Sequence, residues 1–403
     1  MKTISLVFAV CLLQVCLAGR VVAQDAEDPT TSARFRLGPL RFTPSLTFAG
    51  PGVDTNVFNE FDEPKRDWTA RANPKSDWFL RMGRGLLTAS TGVEYQYFAK
   101  YDNQRALNTD NTGKFTLALG RLTPFVSGSY LNARVRPSYE IDIRARQVGD
   151  GASVGSEVRV LSRTTLVLSA SRSYLRFDRH DTFLGTNLSD ALDRRTDTGR
   201  AEIRHRLSSL TTLVLRAEAT KDRFDASRFR DADSVALMPG FQFKPFALIK
   251  GNAFVGYRSF RPLDPAVPEF KGLVASLDLA YAMSATRLAV QLTRDVSYSF
   301  GPDQPYYLLT DASIRITQMI TQAWDADANA GWQHLAYRQG TTPAALAHND
   351  SGFHAGAGVG RWFGRSLRLG FDLNVFRRRA GSFGLRDYHS IQAGFSVKYG
   401  LKP

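Results

Sequence analysis

Cysteine is nearly missing from this chain of 403 residues, and long apolar runs are missing from all but its first segment. The two cysteines, Cys11 and Cys16, both lie within residues 1–23. The rest of the chain therefore has no disulfide and no thiol for catalysis or metal binding. The mean hydropathy of −0.24 excludes a bundle of membrane helices, each of which needs about 20 apolar residues. With 43% hydrophobic residues, the chain is too apolar to be disordered.

The first 23 residues have the pattern of a secretory signal peptide. Lys2 supplies the positive charge, an apolar stretch follows, and Ala23 precedes an expected cleavage before Gln24. Residues 24–41 are expected to form a periplasmic N-terminal lead. Loss of Lys2 and Arg20 with the signal would reduce the formal charge from +14 to +12.

From about residue 42 onward, apolar residues alternate with polar or small ones. In residues 367–375, leucine, phenylalanine and valine occupy every second position, and Arg368, Asp372 and Asn374 lie between them. This period of two is typical of strands with one apolar and one polar face. The faces of residues 122–134 are not assigned by the pattern, and no helix of three or more turns is indicated.

The connections between these strands alternate between long and short. Nine long polar segments are separated by eight short ones, so seventeen connections join eighteen strands; the long ones are residues 51–66, 102–111, 135–148, 178–195, 222–233, 261–269, 301–305, 338–350 and 377–386. A soluble β-sandwich has no reason to alternate its loop lengths, whereas transmembrane barrels have short periplasmic turns and long external loops. We therefore predict an all-β fold, a transmembrane antiparallel up-and-down β-barrel of about 18 strands over residues 42–403, with both termini in the periplasm.

Aromatic residues and the last strand agree with a barrel. Tyrosines recur near strand ends, where the interfacial girdles of such barrels lie; they are Tyr95, Tyr97, Tyr257, Tyr281, Tyr298 and Tyr399. The last strand resembles the C-terminal signal read by the outer-membrane assembly machinery, through Gln392, Gly394, Val397 and Tyr399, although residues 400–403 extend beyond it. Tyr399 is also expected to close the barrel by pairing with the first strand near Phe42.

The first strand resembles the opening of the putative beta-barrel porin 2 family. Members begin with a Pro-x-Leu step, here Pro44 and Leu46, and continue with an Asp-x-Asn-apolar step, here Asp54, Asn56 and Val57. The resemblance implies an outer-membrane barrel, and some members are associated with exopolysaccharide or capsule export. It implies no catalytic residue.

Residue patterns of catalysis and of cofactor binding are sparse. The six histidines show no metal-binding spacing. His180 and His348 lie beside acidic or serine residues in predicted external loops, which admits a membrane hydrolase as well as a plain solvated loop. The glycine-rich residues 352–360 alternate with apolar residues, which predicts a strand with a small-residue lumen face. We expect no cofactor, no metal and no enzymatic activity.

The surplus of basic residues has two expected locations. Arg134, Arg136, Arg144 and Arg146 fall in external loops or strand ends, where phosphate groups of lipopolysaccharide, rather than nucleic acid, are the expected partner. Other charged residues should line the pore; they are Arg200, Arg204, Arg206, Arg216 and Arg258 with Lys250, and Asp278, Asp295, Asp311, Asp325 and Asp327. If these two groups form separate sectors, a transverse field results; alternatively they pair as ladders along the wall.

These observations predict an outer-membrane porin-like channel of a Gram-negative-type bacterium for passive passage of small polar or anionic solutes. A barrel of 16 to 18 strands is wide enough for an aqueous channel. The alternative is an accessory barrel for polysaccharide export without pore activity of its own, which would work with export partners. A membrane hydrolase is a third hypothesis.

Overall fold

The structure is a computed structural model that describes residue 30 and residues 33–244, 248–338, 349–381 and 386–400. The predicted signal peptide, most of residues 24–32 and His348 lie outside the described residues.

Eighteen antiparallel strands form one closed barrel, as the alternation of connections predicted. Each strand pairs with its neighbours in sequence, and the last pairs with the first. The strands are β1 (Leu40–Asp54), β2 (Asp67–Met82), β3 (Gly85–Phe98), β4 (Ala106–Leu117), β5 (Leu122–Val135), β6 (Ala145–Arg159), β7 (Thr164–Phe177), β8 (Arg194–Arg206), β9 (Thr211–Phe224), β10 (Ala232–Phe243), β11 (Ile249–Pro262), β12 (Phe270–Met283), β13 (Thr286–Tyr298), β14 (Tyr306–Met319), β15 (Trp324–Arg338), β16 (Asn349–Phe363), β17 (Leu367–Arg379) and β18 (Tyr388–Tyr399). Long and short connections alternate along the chain, which confirms a long-loop end and a short-turn end.

Regular structure outside the barrel strands is short. The connection between β7 and β8 contains strands Thr182–Phe183 and Thr186–Asn187 and helix α1 (Leu188–Leu192). Asn187 caps this helix, since its side-chain oxygen accepts a 2.9 Å hydrogen bond from the backbone N–H of Ser189. Single 3₁₀ turns lie at Asp102–Gln104 and Arg228–Arg230. None of the helices among the described residues has the length and apolarity needed to span a bilayer.

The seam between β18 and β1 differs in register from the prediction. Tyr399 lies opposite Leu46 rather than near Phe42. The reason is that a short strand, Phe35–Leu37, folds back on β1 and places Phe35 opposite Phe42. The barrel accordingly begins at Leu40, two residues before the predicted boundary.

The two faces of the strands have opposite chemistry. Large apolar side chains such as Val126, Leu215 and Phe371 point outward and are 42% to 50% exposed, as expected of a surface that contacts lipid. The register also assigns the faces of β5, which the sequence pattern left open. Val126 lies opposite the outward Val154, so Phe125, beneath the ammonium group of Lys114 at 4.4 Å, points into the lumen.

Candidate functional site

Ion pairs connect β6, β8 and β9 on the lumen face. The Glu202 carboxylate accepts hydrogen bonds from the guanidinium groups of Arg204 and Arg216, each at 2.7 Å. The guanidinium group of Arg204 also lies 3.7 Å from the carboxylate of Glu157 on β6. The guanidinium of Arg216 stacks 4.0 Å above the centre of the Phe254 ring. These arginines point inward, as predicted, but each has a carboxylate partner.

The same network continues through β11 to β13. Arg200 lies 2.8 Å from Glu218, and Arg258 lies 3.6 Å from Glu218 and 2.9 Å from Asp295. The residue of β12 opposite Arg258 is Gly272, which has no side chain. Asp295, which the sequence placed in a separate acidic sector, therefore joins the basic one.

A second network spans β15, β16 and β17. Arg368 lies 2.6 Å from Asp325 and 3.1 Å from Asp327, and the side chains of Arg368 and Asp325 are 4% and 2% exposed. The indole N–H of Trp362 also donates to Asp325. The strand between the partners has Gly360 at this point, and a Cβ there would lie 2.3 Å from the Arg368 guanidinium carbon. The glycine-rich strand thus has a small lumen face, as predicted, so that its neighbours can meet across it.

Of the two alternatives, paired ladders rather than separate charged sectors describe these ion-paired residues. Arg206 donates to the backbone oxygen of Ser162 at the short-turn end at 3.1 Å, and Asp278 lies opposite Asn252 and Gln291 in the register. That any of these residues lies on the path of a solute stays a prediction.

Residues 136–144, which connect β5 and β6, extend across the lumen. The hydroxyl of Tyr139 donates a 2.9 Å hydrogen bond to Asp311 on β14. In a closed barrel of 18 strands, β14 lies eight strands from β6 and nine from β5, and hence on the opposite wall. Ile141, in the same segment, is 1% exposed. We call residues 136–144 the crossing loop.

The crossing loop meets the β13–β14 connection at Glu140. The Glu140 carboxylate accepts hydrogen bonds from the Ser299 hydroxyl at 2.5 Å and the Phe300 backbone N–H at 3.2 Å. Arg230 holds the same connection by donating to the backbone oxygens of Ser299 and Phe300 at 3.1 and 3.0 Å. Burial raises the pKa of Glu140 to about 7, because it penalises the charged form more than these hydrogen bonds favour it.

The crossing loop is also bound to β17 and to the β17–β18 connection. Arg378 lies 3.1 Å from Asp142 of the loop and 2.5 Å from Asp350 of β16. Arg386 lies 3.4 Å from Asp142. The Arg378 side chain is 4% exposed, so its two carboxylate partners compensate a buried charge.

The hairpin of β13 and β14 leans inward toward the crossing loop. Pairing of β13 with β12 ends at Arg294 opposite Ala275, although β12 extends to Phe270. The hydroxyl of Tyr298 then donates to Asp222 on β9 at 2.9 Å. Tyr298 was predicted in the lipid-facing girdle, and this prediction is wrong because the hairpin end leaves the wall. Tyr95, Tyr97 and Tyr257 are exposed on the outward face, at 39% to 51%.

Sequence reasoning missed the residues that narrow the lumen. Tyr139 and Glu140 lie in a polar loop, and no local pattern distinguishes them from solvated residues. The inward orientation of Arg368 and Arg378 could have been predicted from strand alternation, because both lie on the polar face of β17. Their acidic partners follow only from the strand register and the path of the crossing loop.

Of the two histidines considered for a hydrolase, His180 lies in the β7–β8 connection. His180 is 96% exposed at its side chain and contacts Asp178 at 2.9 Å. Among the residues that the structure describes, no three His, Cys, Asp or Glu side chains are grouped to hold a metal ion.

The four residues of the predicted assembly signal lie in β18. Gln392 donates to Asp54 of β1 at 2.9 Å. Gly394 allows close approach at the seam, since a Cβ on it would lie 2.8 Å from the Gly52 Cα. Val397 lies opposite Phe48, and Tyr399 lies beneath the Arg34 guanidinium at 4.7 Å. Their recognition by the assembly machinery stays a prediction.

Several solved structures are similar to this chain at low sequence identity. Pseudomonas aeruginosa OccK2 (OpdF) in complex with glucuronate is 11% identical, with 90% of this chain and 98% of that chain covered and a TM-score of 0.48. Pseudomonas aeruginosa OpdK with vanillate is 11% identical over 89% of this chain and 98% of that chain, with a TM-score of 0.47. A bacterial polysaccharide outer membrane secretin is 9% identical over 89% of this chain and 99% of that chain, with a TM-score of 0.35. None of these likenesses bears on the solute.

No curated protein sequence matches the chain. The family model described as Putative beta-barrel porin 2 matches residues 28–399, and the fold is a closed barrel of 18 antiparallel strands with an apolar outer face. The chain therefore belongs to the Putative beta-barrel porin 2 family and is an outer-membrane β-barrel of the porin type.

Proposed function

We propose that this protein is a non-enzymatic channel for passive passage of small polar or anionic solutes, with a lumen narrowed by the crossing loop. The hydrogen bond from Tyr139 to Asp311 on the opposite wall supports the narrowing. The charged and polar inner face supports passage of polar rather than apolar solutes, because such groups are compatible with water in the lumen. The long loops face outward from the cell in this proposal, and the termini are periplasmic.

Two macromolecular partners accompany this proposal. Lipopolysaccharide phosphate would contact basic residues near the outer rim, such as Arg146 and Arg176 on the outward faces of β6 and β7. The barrel-assembly machinery would recognise β18. Both partners act on the barrel exterior and its last strand, and neither requires an open lumen.

Planar-bilayer conductance of the purified full chain tests the channel. Val135 and Ala145 are directly paired, so residues 137–143 can be replaced by a short Gly-Ser turn without stretching the hairpin. We expect small single-channel steps for the unmodified protein and conductance several-fold larger after this replacement. The matched control removes residues 61–64, which are exposed in another long connection, and should leave the step size unchanged.

The crossing loop also favours the second candidate, an accessory barrel for exopolysaccharide or capsule export. The loop is bound to β14, to β17 and to the β17–β18 connection at once, which suits a lumen that opens only with partners. If neither the unmodified protein nor the loop replacement conducts, the channel proposal fails and the accessory barrel is supported.

A further inference from the structure

A cavity of about 250 Å³ lies at the long-loop end, between the crossing loop and three other connections. Val57 and Phe58 line it from the β1–β2 connection, Gln104 from the β3–β4 connection, and His180 from the β7–β8 connection. Its basic lining is formed by Arg134, Arg136 and Arg144. The sequence assigned these arginines to lipopolysaccharide, but all three line one pocket, Arg134 from the outward face of β5, where it is paired with Arg146.

The three arginines are held by neutral oxygens. Arg136 donates to the backbone oxygens of Asp142 and Val57, both at 2.7 Å. Arg144 donates to the side-chain oxygen of Gln96 at 2.6 Å, and Arg134 donates to the backbone oxygen of Asn103 at 2.6 Å. Within the described part of the chain, none of the three has a carboxylate within ion-pair distance.

The acidic residues of the lining have other partners. The Asp142 carboxylate lies 3.1 Å from Arg378, and Asp181 accepts a 2.6 Å hydrogen bond from the backbone N–H of Arg146. The pocket therefore has a surplus of positive charge. Burial, followed by the neighbouring Arg136 and Arg71, lowers the pKa of Arg144 to about 9 against the smaller opposite effect of Asp54 and Glu94, and a bound anion would favour the charged guanidinium.

We infer that this pocket binds a small oxyanion, a carboxylate or phosphate group, on a solute that enters from the long-loop end. Guanidinium groups present forked donors that match the two oxygens of either group. Hydrogen bonds to backbone oxygens, and for Arg144 to the Gln96 side chain, hold these arginines in place, which lowers the entropy cost of binding. The volume is at the small end for ligand pockets, which favours a small solute. The role as an entry site rests on the proposed channel, whereas binding itself does not.

Isothermal titration calorimetry on the detergent-solubilised, lipopolysaccharide-free full chain tests the site with inorganic phosphate, succinate and uncharged glycerol at low salt. We expect saturable binding of phosphate or succinate, or both, and none of glycerol. Replacing Arg136 and Arg144 together, R136Q/R144Q, should weaken binding at least tenfold. The variant R136K/R144K keeps the charge but not the forked donors and should show an intermediate loss.

The matched control is R228Q/R261Q, which removes the same charge from exposed arginines away from the pocket and should bind as the unmodified protein does. Heat-modifiable migration must confirm that every variant is folded. Absence of saturable binding, equal binding by R136Q/R144Q, or binding of lipopolysaccharide alone would overturn the inference. A channel that fails to conduct but still binds phosphate or succinate would contradict the proposed function and leave the site standing.

Discussion

The burial and the pKa of Glu140 could not be predicted from its place in the sequence. In the sequence it is one acidic residue of a polar loop, whereas in the structure it is 3% exposed and contacts Ser299 and Phe300. Arg378 donates a hydrogen bond to the backbone oxygen of Glu140, and both Arg378 and Arg386 form ion pairs with the nearby Asp142. The positive charges of these arginines lower the pKa of Glu140 only in part. Burial dominates, and the pKa is raised from 4.5 to about 7.

The pKa of Glu140 is higher when the crossing loop contacts Ser299 and Phe300 than when Glu140 is exposed to water. The strength of this contact should therefore depend on pH. Below pH 4.5 the group is protonated in both states and the contact is at full strength. As the pH rises from 4.5 through about 7, Glu140 must either ionise while buried or leave its contact with Ser299 and Phe300. The free energy that holds the crossing loop in this contact therefore falls by on the order of 3 kcal/mol. We expect the conductance of the unmodified protein to increase from pH 5 to pH 8.

The variant E140Q tests this expectation because it keeps the shape and removes the titration. Its conductance should vary little between pH 5 and pH 8, measured in planar bilayers at constant salt. The control D190N changes an exposed carboxylate in the β7–β8 connection and should keep the original pH response. An equal pH response in E140Q and the unmodified protein would assign the effect to other groups.

At the scale of the strand, the outward face sets the stability of the barrel in lipid. Leu277 lies between Ala253 and Leu292 on the neighbouring strands, and Phe371 contacts Phe395 edge-on at 5.5 Å. Each change to arginine, L277R or F371R, should cost about 2–4 kcal/mol if the site is near the bilayer midplane. Unfolding from vesicles in denaturant measures this cost.

The conservative variants L277V and F371L are the controls for the lipid-facing positions, and each should lose much less stability than its arginine counterpart. If L277R and F371R fold into vesicles with unchanged stability, the outward assignment of these side chains is contradicted.

At the scale of the whole molecule, closure at the β18–β1 seam makes the barrel one unit. Tyr399 lies opposite Leu46 on one side and Leu367 on the other. The variant Y399D should reduce the yield of the folded, heat-modifiable form in the outer membrane. A carboxylate at this position would replace an aromatic ring of the interfacial girdle and would lie between two apolar side chains of the neighbouring strands. Electrophoretic mobility before and after heating measures the yield.

The variant Y399F retains the aromatic ring and should preserve the yield of folded barrel. A yield for Y399D equal to that of the unmodified protein would remove support for the assembly signal at this strand, although the seam itself would stand.

Much of the fold could be predicted from the sequence because the side chains of a strand point alternately to its two faces, with a period of two residues. Alternation predicted the faces of the strands outside residues 122–134, the length of the connections predicted eighteen strands, and the small lumen face of residues 352–360 followed from the same pattern. These features depend on neighbours along the chain. They needed no knowledge of which strands meet across the lumen.

Only the tertiary structure decided which charges pair and what lies in the lumen. Arg258 of β11 meets Asp295 of β13 across the intervening β12, and Arg368 meets Asp325 over Gly360. The crossing loop reaches Asp311 on the opposite wall, a contact between residues far apart in the sequence. The sequence by itself determined an outer-membrane barrel with a polar interior, since that depends on period and loop length. The narrowing of its lumen depends on long-range contacts, which a local pattern does not encode.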